Sequence, residues 1–348
     1  MINLFTKVKS LISKDQETYY DETLYHSNGN IMYEGTIKGT EYYGFGKLYN
    51  EDGTISYEGE FKDGLKHGTG TCYFQEETYV GNFNYNKQTG IGTYTWKDGS
   101  VYIGSFVDGI KEGKGELTLA DGTRYEGTFI KDHLEGVATA TYPSGDIYIG
   151  EFRDSIAIGR GKITFANGDV YDGDIIKNCV PSGKGTLTYA DGSTYRGDFL
   201  NGAATGKGIK IFSNGHKYMG DFKNGLMHGE GCYEDETHNR FEGTFEDNYM
   251  LKSYHGIVLY PEIGKYEGPL QNSLPNGDGI FIYDDGSIYK GQFVNGKMTG
   301  QGHKIFANGH KYTGSFRNGK MDGEGLYDDG VALYRGVFAE DFMTKRFS

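Results

Sequence analysis

Three residue types in this chain could carry chemistry, and their spacing decides whether they do. Nine histidines and three cysteines (Cys72, Cys179 and Cys232) could ligate a metal, and recurrent Gly-x-Gly pairs such as Gly68 with Gly70 could cradle a phosphate. A zinc site draws on Cys or His pairs a few residues apart, whereas here no two cysteines and no two histidines stand so close. His67 and His228 precede a Gly-x-Gly, and His216 and His310 follow a turn glycine, so all four are expected to be exposed strand residues. The Gly-x-Gly pairs open strands rather than helices and lack the helix N-terminus that a phosphate loop uses. No metal, no cofactor and no catalytic residue is expected, and the pattern points away from an enzyme.

The glycines take their meaning from a period instead. Fourteen times an aromatic residue is followed two positions later by glycine, every 22 to 25 residues, from Tyr33-Glu-Gly35 to Tyr334-Arg-Gly336. Four residues after the ring comes Phe in eleven copies, with Ile37, Ile175 and Leu270 in the other three. Thirteen copies continue into a Gly-x-Gly half, broken at Ala138 and at Val258, and nine of the turns that close it carry Asp-Gly or Asn-Gly. A fixed period of this length marks small units that stack because none can bury its apolar face alone.

Asp-Gly or Asn-Gly between alternating runs is a hairpin signal, because glycine accepts positive φ without steric cost. For the hairpin from Gly113 to Phe129, a two-residue loop would mix aromatic and charged residues on one face. A three-residue loop, Ala120-Asp121-Gly122 with a left-handed glycine, pairs Leu117 with Tyr125, Gly115 with Gly127 and Gly113 with Phe129. Lys114, Glu116, Glu126 and Thr128 then share the other face, so alternation selects this register. Rings can lie over the bare glycine backbone, which offsets the weakness of glycine in strands.

The expected fold is all-β: an elongated, curved single-sheet solenoid of about 14 stacked hairpins, on the order of 130 Å long, with a short N-terminal helix. Only 36% of residues are hydrophobic, which leaves too little for a thick core. Three scattered cysteines argue against a disulfide framework. No stretch approaches the ~18 apolar residues of a membrane-spanning helix and no signal peptide is evident, so a cytoplasmic setting is expected.

Charge is unevenly placed. Residues 1–14 and 289–348 each carry +3, which leaves −19 on residues 15–288 out of the total of −13. Acids recur beside the repeat tyrosine, as Glu34, Glu58, Glu126 and Asp172. An acidic mid-section repels nucleic acid and anionic lipid, so no nucleic-acid binding and weak or no lipid binding is expected.

Units such as Tyr57-Glu-Gly-Glu-Phe-Lys-Asp-Gly-Leu-Lys-His-Gly-Thr-Gly and Tyr218-Met-Gly-Asp-Phe-Lys-Asn-Gly-Leu-Met-His-Gly-Glu-Gly resemble MORN repeats (membrane occupation and recognition nexus) over about nine-tenths of the chain. The resemblance implies a scaffold. Repeat-only members serve in ciliary radial spokes, in apicomplexan and trypanosome cytoskeletal structures, and as cargo adaptors for unconventional myosins. Other members fuse the repeats to a lipid kinase, a SET methyltransferase or a membrane anchor, and with so few residues before Tyr20 and after Phe338 no such fusion is expected in this sequence. A cytoskeleton- or axoneme-associated adaptor is the expectation, with a peripheral membrane or phosphoinositide-binding module as the alternative.

Five segments follow: 1–19 a helix or cap, 20–247 the array, 248–275 an irregular repeat, 276–338 the C-terminal repeats and 339–348 a tail. Leu4, Phe5, Val8, Leu11 and Ile12 share one helical face with Lys7, Lys9 and Lys14 around it, which suits either a cap over the first hairpin or an anionic membrane. Segment 248–275 holds Pro261, Pro269 and Pro275, and a bend or partial break in the sheet is expected there. Protein partners are expected on the concave aromatic and glycine face at Tyr102, Phe106, Tyr125, Phe129, Tyr148 and Phe152, and at Tyr249, Met250, Leu251 and Tyr254 of the irregular repeat. The last units, around Tyr312, Phe316, Tyr334, Phe338 and Phe342, leave an open sheet edge that invites a homodimer.

Overall fold

The computed structural model describes residues 18–347. Among them every regular element is a strand, there is no helix, and 29 strands form one antiparallel sheet of hairpins. Two compact units divide between Gly159 and Arg160. The helix expected at residues 1–19, with Leu4, Phe5, Lys7, Val8, Lys9, Leu11, Ile12 and Lys14, lies outside the described residues.

The register of the Gly113–Phe129 hairpin is the one alternation selects. Tyr125 pairs with Leu117, Gly127 with Gly115 and Phe129 with Gly113. Gly122 closes the three-residue loop at φ +89°, Leu119 N–H donates to the Thr123 carbonyl at 2.8 Å, and the Asp121 carboxylate accepts from Thr123 N–H at 2.8 Å.

The other end of each repeat holds a second turn that the period alone does not reveal. Asp63 and Gly64 both have positive φ, the geometry of a two-residue type I′ turn, and Asp108-Gly109, Asn224-Gly225 and Asn318-Gly319 repeat it. Between the two turns the ladder slips by a bulge, as between Gly59 and Phe61. A bulge bends its strand, and the two-residue turn leans over the ring-bearing face. Its amide reaches back to the preceding copy, as Gly225 N–H to the Ala204 carbonyl at 2.8 Å and Gly319 N–H to Met298 at 2.9 Å.

Each ring therefore has a floor and a lid. The floor is a glycine pair: a Cβ built on Gly70 would stand 2.3 Å from the Tyr57 hydroxyl oxygen, so only glycine fits. The lid is the residue two places beyond the turn, such as Leu134, Met227, Met298 and Met321, all buried. Phe61 and Phe83 meet Tyr57 edge-on from either side at 5.0 and 5.1 Å, and such contacts add about 0.5–1.5 kcal/mol per pair beyond area burial. The same alternation of Tyr and Phe continues within each unit, as from Tyr195 to Phe222 to Tyr218.

Tyrosine rather than phenylalanine occupies the first position for a further reason. The bulge takes the carbonyl three residues on out of the ladder, and the ring hydroxyl donates to it: Tyr57 to Glu60 at 3.0 Å, Tyr171 to Asp174 at 2.8 Å and Tyr266 to Pro269 at 2.8 Å. Eleven tyrosines that make this bond are fully buried. The three copies whose ring is only half-buried each have a local cause. At Tyr125 the second glycine is Ala138; the Ala138 methyl and Leu134 fill the space above Gly127, and Tyr125 is only half-buried. Phe241 has no hydroxyl, and its partner strand carries two register shifts that place Gly256 opposite Phe241. Tyr334 belongs to the last complete copy, where Arg346 faces Gly336.

Two expectations are corrected here. Rings meant as a docking strip are the core: Tyr102, Phe106, Phe129, Tyr148 and Phe152 are buried, as are Tyr312, Phe316 and Phe338. The turns that fold back over them are the cause. Of the bend or partial break expected across 248–275, the break is not found, since the ladder runs on. Tyr249–Tyr260 pairs with Arg240–Glu246 and with Gly264–Gly268, which in turn pairs with Gly277–Tyr283. The irregularity is absorbed locally, by the two register shifts and by a small separate hairpin, Leu270–Gln271 with Leu274–Pro275. Gly256 pairs with Gly268 and so holds the second glycine position, which leaves Tyr254 in the first.

Candidate functional site

With the rings sealed on one side, a partner meets the other face of the sheet. In the second unit that face forms an open trough of about 1260 Å³, which runs from Arg160 and Lys162 to Glu242 and Tyr254. Its middle row is built by cross-strand pairing of the residue after each repeat ring. Asp172 faces Thr186, Thr186 faces Arg196, and Arg196 faces Ile209. Ile209 then faces Met219, Met219 faces Cys232, and Cys232 faces Glu242. Gly185, Gly197, Gly208, Gly220 and Gly231 contribute bare backbone to the floor, since the atoms they lack would point at the rings on the far side.

Charge along the trough is ordered. Arg160, Lys162, Lys184, Arg196 and Lys207 line one end, with Asp172 the one carboxylate lining it among them, and Glu230 and Glu242 line the other. Lys207 pairs with Asp221 at 2.7 Å, Lys184 with Asp198, and Arg160 with Asp174 at 3.9 Å. Those carboxylates have a second duty. Asp174 accepts Lys184 N–H at 2.9 Å and Asp221 accepts Glu230 N–H at 3.1 Å, which satisfies amides beside the left-handed glycines Gly183 and Gly229. Glu60 does the same for Thr69 at 3.0 Å, and that backbone bond holds its carboxyl below the usual value. Part of the chain's acidity is thus backbone support. Between the charged ends lie Ile209, Met219 and Cys232, with Met219 43% exposed.

Of the partner contacts expected from sequence, Tyr249, Leu251 and Tyr254 are exposed, and Tyr254 stands at the acidic end of the trough. Met250 is opposite Phe245 in the lid position, as Met227 is opposite Phe222. Phe342 is 75% exposed on the last strand, Phe342–Arg346, and the Arg346 guanidinium stands 4.9 Å from the Tyr334 ring. Ile209 and Met219 were not singled out from sequence, and Cys232 was weighed there only as a metal ligand. Their signal was available: each follows a repeat ring by one or pairs with such a residue, in a row otherwise filled by Thr and charge.

The histidines depart from expectation. His310 Nδ1 and Tyr327 Oη are hydrogen-bonded at 2.7 Å, His216 bonds Tyr233 in the equivalent place, and Nδ1 of His67 and of His228 is buried without a hydrogen-bond partner. All four are half-buried rather than exposed, because the turns on either side fold around them. Among the described residues no three His, Cys, Asp or Glu side chains gather to hold a metal ion. Burial also acts on Lys111, whose ammonium sits 5.1 Å from Trp96 and 5.6 Å from Tyr102, and desolvation pulls its pKa down. No helix among the described residues is long and apolar enough to cross a membrane.

Comparison with known proteins agrees with this architecture. The MORN repeat family model matches ten segments, residues 57–76, 79–101, 102–124, 125–147, 148–170, 180–194, 195–217, 218–240, 289–311 and 312–330. No curated protein matches the chain. Among solved structures, the TCP10 domain of Danio rerio CPAP in complex with a STIL peptide is 12% identical, with 65% of this chain and 91% of that chain covered and a TM-score of 0.32. The TCP domain of Drosophila melanogaster SAS-4, in complex with a proline-rich motif of Ana2, is 12% identical over 45% of this chain and 85% of that chain, at a TM-score of 0.30.

Proposed function

The chain belongs to the MORN repeat family, and from that premise we propose that it is a non-catalytic scaffold that holds protein partners on the face opposite its tyrosine ladder. The observation that carries this reading is the trough between Arg160 and Tyr254, where exposed apolar side chains lie on a rigid sheet between charged rows. A soluble surface that keeps Met219 and Tyr254 in water has a use for them, because central apolar contacts ringed by polar groups give protein interfaces their energy. The setting we propose is a cytoplasmic cytoskeletal or ciliary assembly. A homodimer through the strand Phe342–Arg346 belongs to the same proposal.

The test is binding of a partner identified by proximity labelling, measured with the full chain and with Met219→Glu and Val331→Ser. Met219→Glu is expected to weaken binding at least tenfold and Val331→Ser, at an exposed side chain outside the trough, to leave it unchanged. Equal binding by all three proteins overturns the reading.

A further inference from the structure

We propose that the occupant of the trough is an amphipathic α-helix whose acidic end lies over Arg196 and Lys162 and whose basic end lies over Glu230 and Glu242, with apolar side chains between. This inference rests on the scaffold reading and adds the class of partner.

The direction of the trough argues for a helix. It crosses the strands rather than following them, and the backbone groups of its floor are already committed to the ladder, as in Gly208 against Gly220 and Gly231 against Gly243. An extended segment laid across such a floor would leave its own amides and carbonyls without partners. A helix closes its bonds internally and presents only side chains. From the strand of Arg160 to that of Tyr254 there are nine strands, a span of about 38 Å at roughly 4.8 Å per step, which matches a helix of about 25 residues.

Charge complementarity sets its sequence order. Lys184 and Lys207 are held by Asp198 and Asp221, whereas among the described residues Lys162 and Arg196 have no acidic partner. Both line the trough, where five cations outnumber the single carboxylate of Asp172 at that end, in a chain whose total charge is −13. At the far end Glu230 has no cation and Glu242 only the Arg240 guanidinium at 3.5 Å. A helix with uniform charge would be repelled at one end. One with segregated charge is attracted at both, and Ile209, Met219 and Cys232 take its apolar centre.

Two synthetic helical peptides of about 25 residues and identical composition test this against the full chain by fluorescence anisotropy. One carries acidic, apolar and basic thirds; in the other the charges are interleaved. The segregated peptide is expected to bind about tenfold tighter at low salt, with the advantage shrinking at high salt. The double variant Lys162→Glu with Arg196→Glu is expected to abolish the preference, and Val331→Ser, at an exposed side chain outside the trough, to keep it. Equal binding of the two peptides, no binding of either, or a preference that survives the double variant overturns the helix assignment. If that happens while Met219→Glu still releases the labelled partner, the scaffold reading stands with a different occupant; if Met219→Glu releases nothing, both fall.

Discussion

Removing one hydroxyl from the ladder tests why the repeat begins with tyrosine. The Tyr195 hydroxyl lies 3.0 Å from the Asp198 carbonyl and 3.2 Å from that of Thr205, both part-buried beside the bulge. Tyr195→Phe keeps the ring over Gly197 and Gly208 and its edge contacts with Phe199 and Phe222 at 5.2 and 4.7 Å. What is lost is the donor, and a buried acceptor left unmatched costs about 1–3 kcal/mol. In an array each unit is held mainly by its neighbours, so the loss should register locally as easier opening. At about 1.4 kcal/mol per tenfold, amide hydrogen exchange in the strands Thr194–Leu200 and Ala203–Ile211 is expected to speed up by roughly 5- to 150-fold. Exchange in Lys320–Asp328 should not change, and Tyr249→Phe, at an exposed ring, should leave every strand as it was. Unchanged protection in Tyr195→Phe, or an equal loss in Tyr249→Phe, would refute the hydroxyl's role.

Other consequences follow from the same geometry. Gly208→Ala sets a Cβ 2.4 Å from the Tyr195 ring, so thermal unfolding should show a loss of about 1–3 kcal/mol; a neutral substitution contradicts the glycine floor. Burial pushes the phenols of Tyr79, Tyr102, Tyr289 and Tyr312 from 10.0 to about 12. Because the folded state favours the neutral phenol, this stability is fully present below pH 10 and is lost as pH rises through 12. Circular dichroism and phenolate absorbance should change together in that window, and titration of the buried rings near 10 without unfolding would contradict it. Light scattering at tens of micromolar should report a dimer that Phe342→Ser dissociates; a wild-type monomer ends that proposal. Anionic vesicles containing phosphoinositide should leave the protein in the supernatant at physiological salt, and co-sedimentation would revive the membrane alternative.

Strand pairing was legible in the sequence because glycine and aromatic residues alternate so strictly that only one register keeps Lys114 and Glu116 off the ring-bearing side. The accessible face was not. Alternation says that Tyr102 and Phe106 share a side with Gly104, but nothing in a period-two pattern says that a second turn folds over that side. Methionines at 227, 298 and 321 mark the lid, each two places past an Asn-Gly turn, yet Lys66 and Lys111 hold the equivalent place and hide the pattern. The prolines of 248–275 leave the ladder unbroken for a related reason. Pro269 and Pro275 sit beside and within the small separate hairpin, outside the main ladder, so their missing amides interrupt nothing in it.

The most direct measurement places a photo-crosslinking residue at Met219 and, in a second protein, at Val331, which is 94% exposed in a turn away from the trough. The account predicts that the partner crosslinks from position 219 and not from 331. Crosslinking from 331 alone, or equally from both, would contradict a docking face opposite the tyrosine ladder.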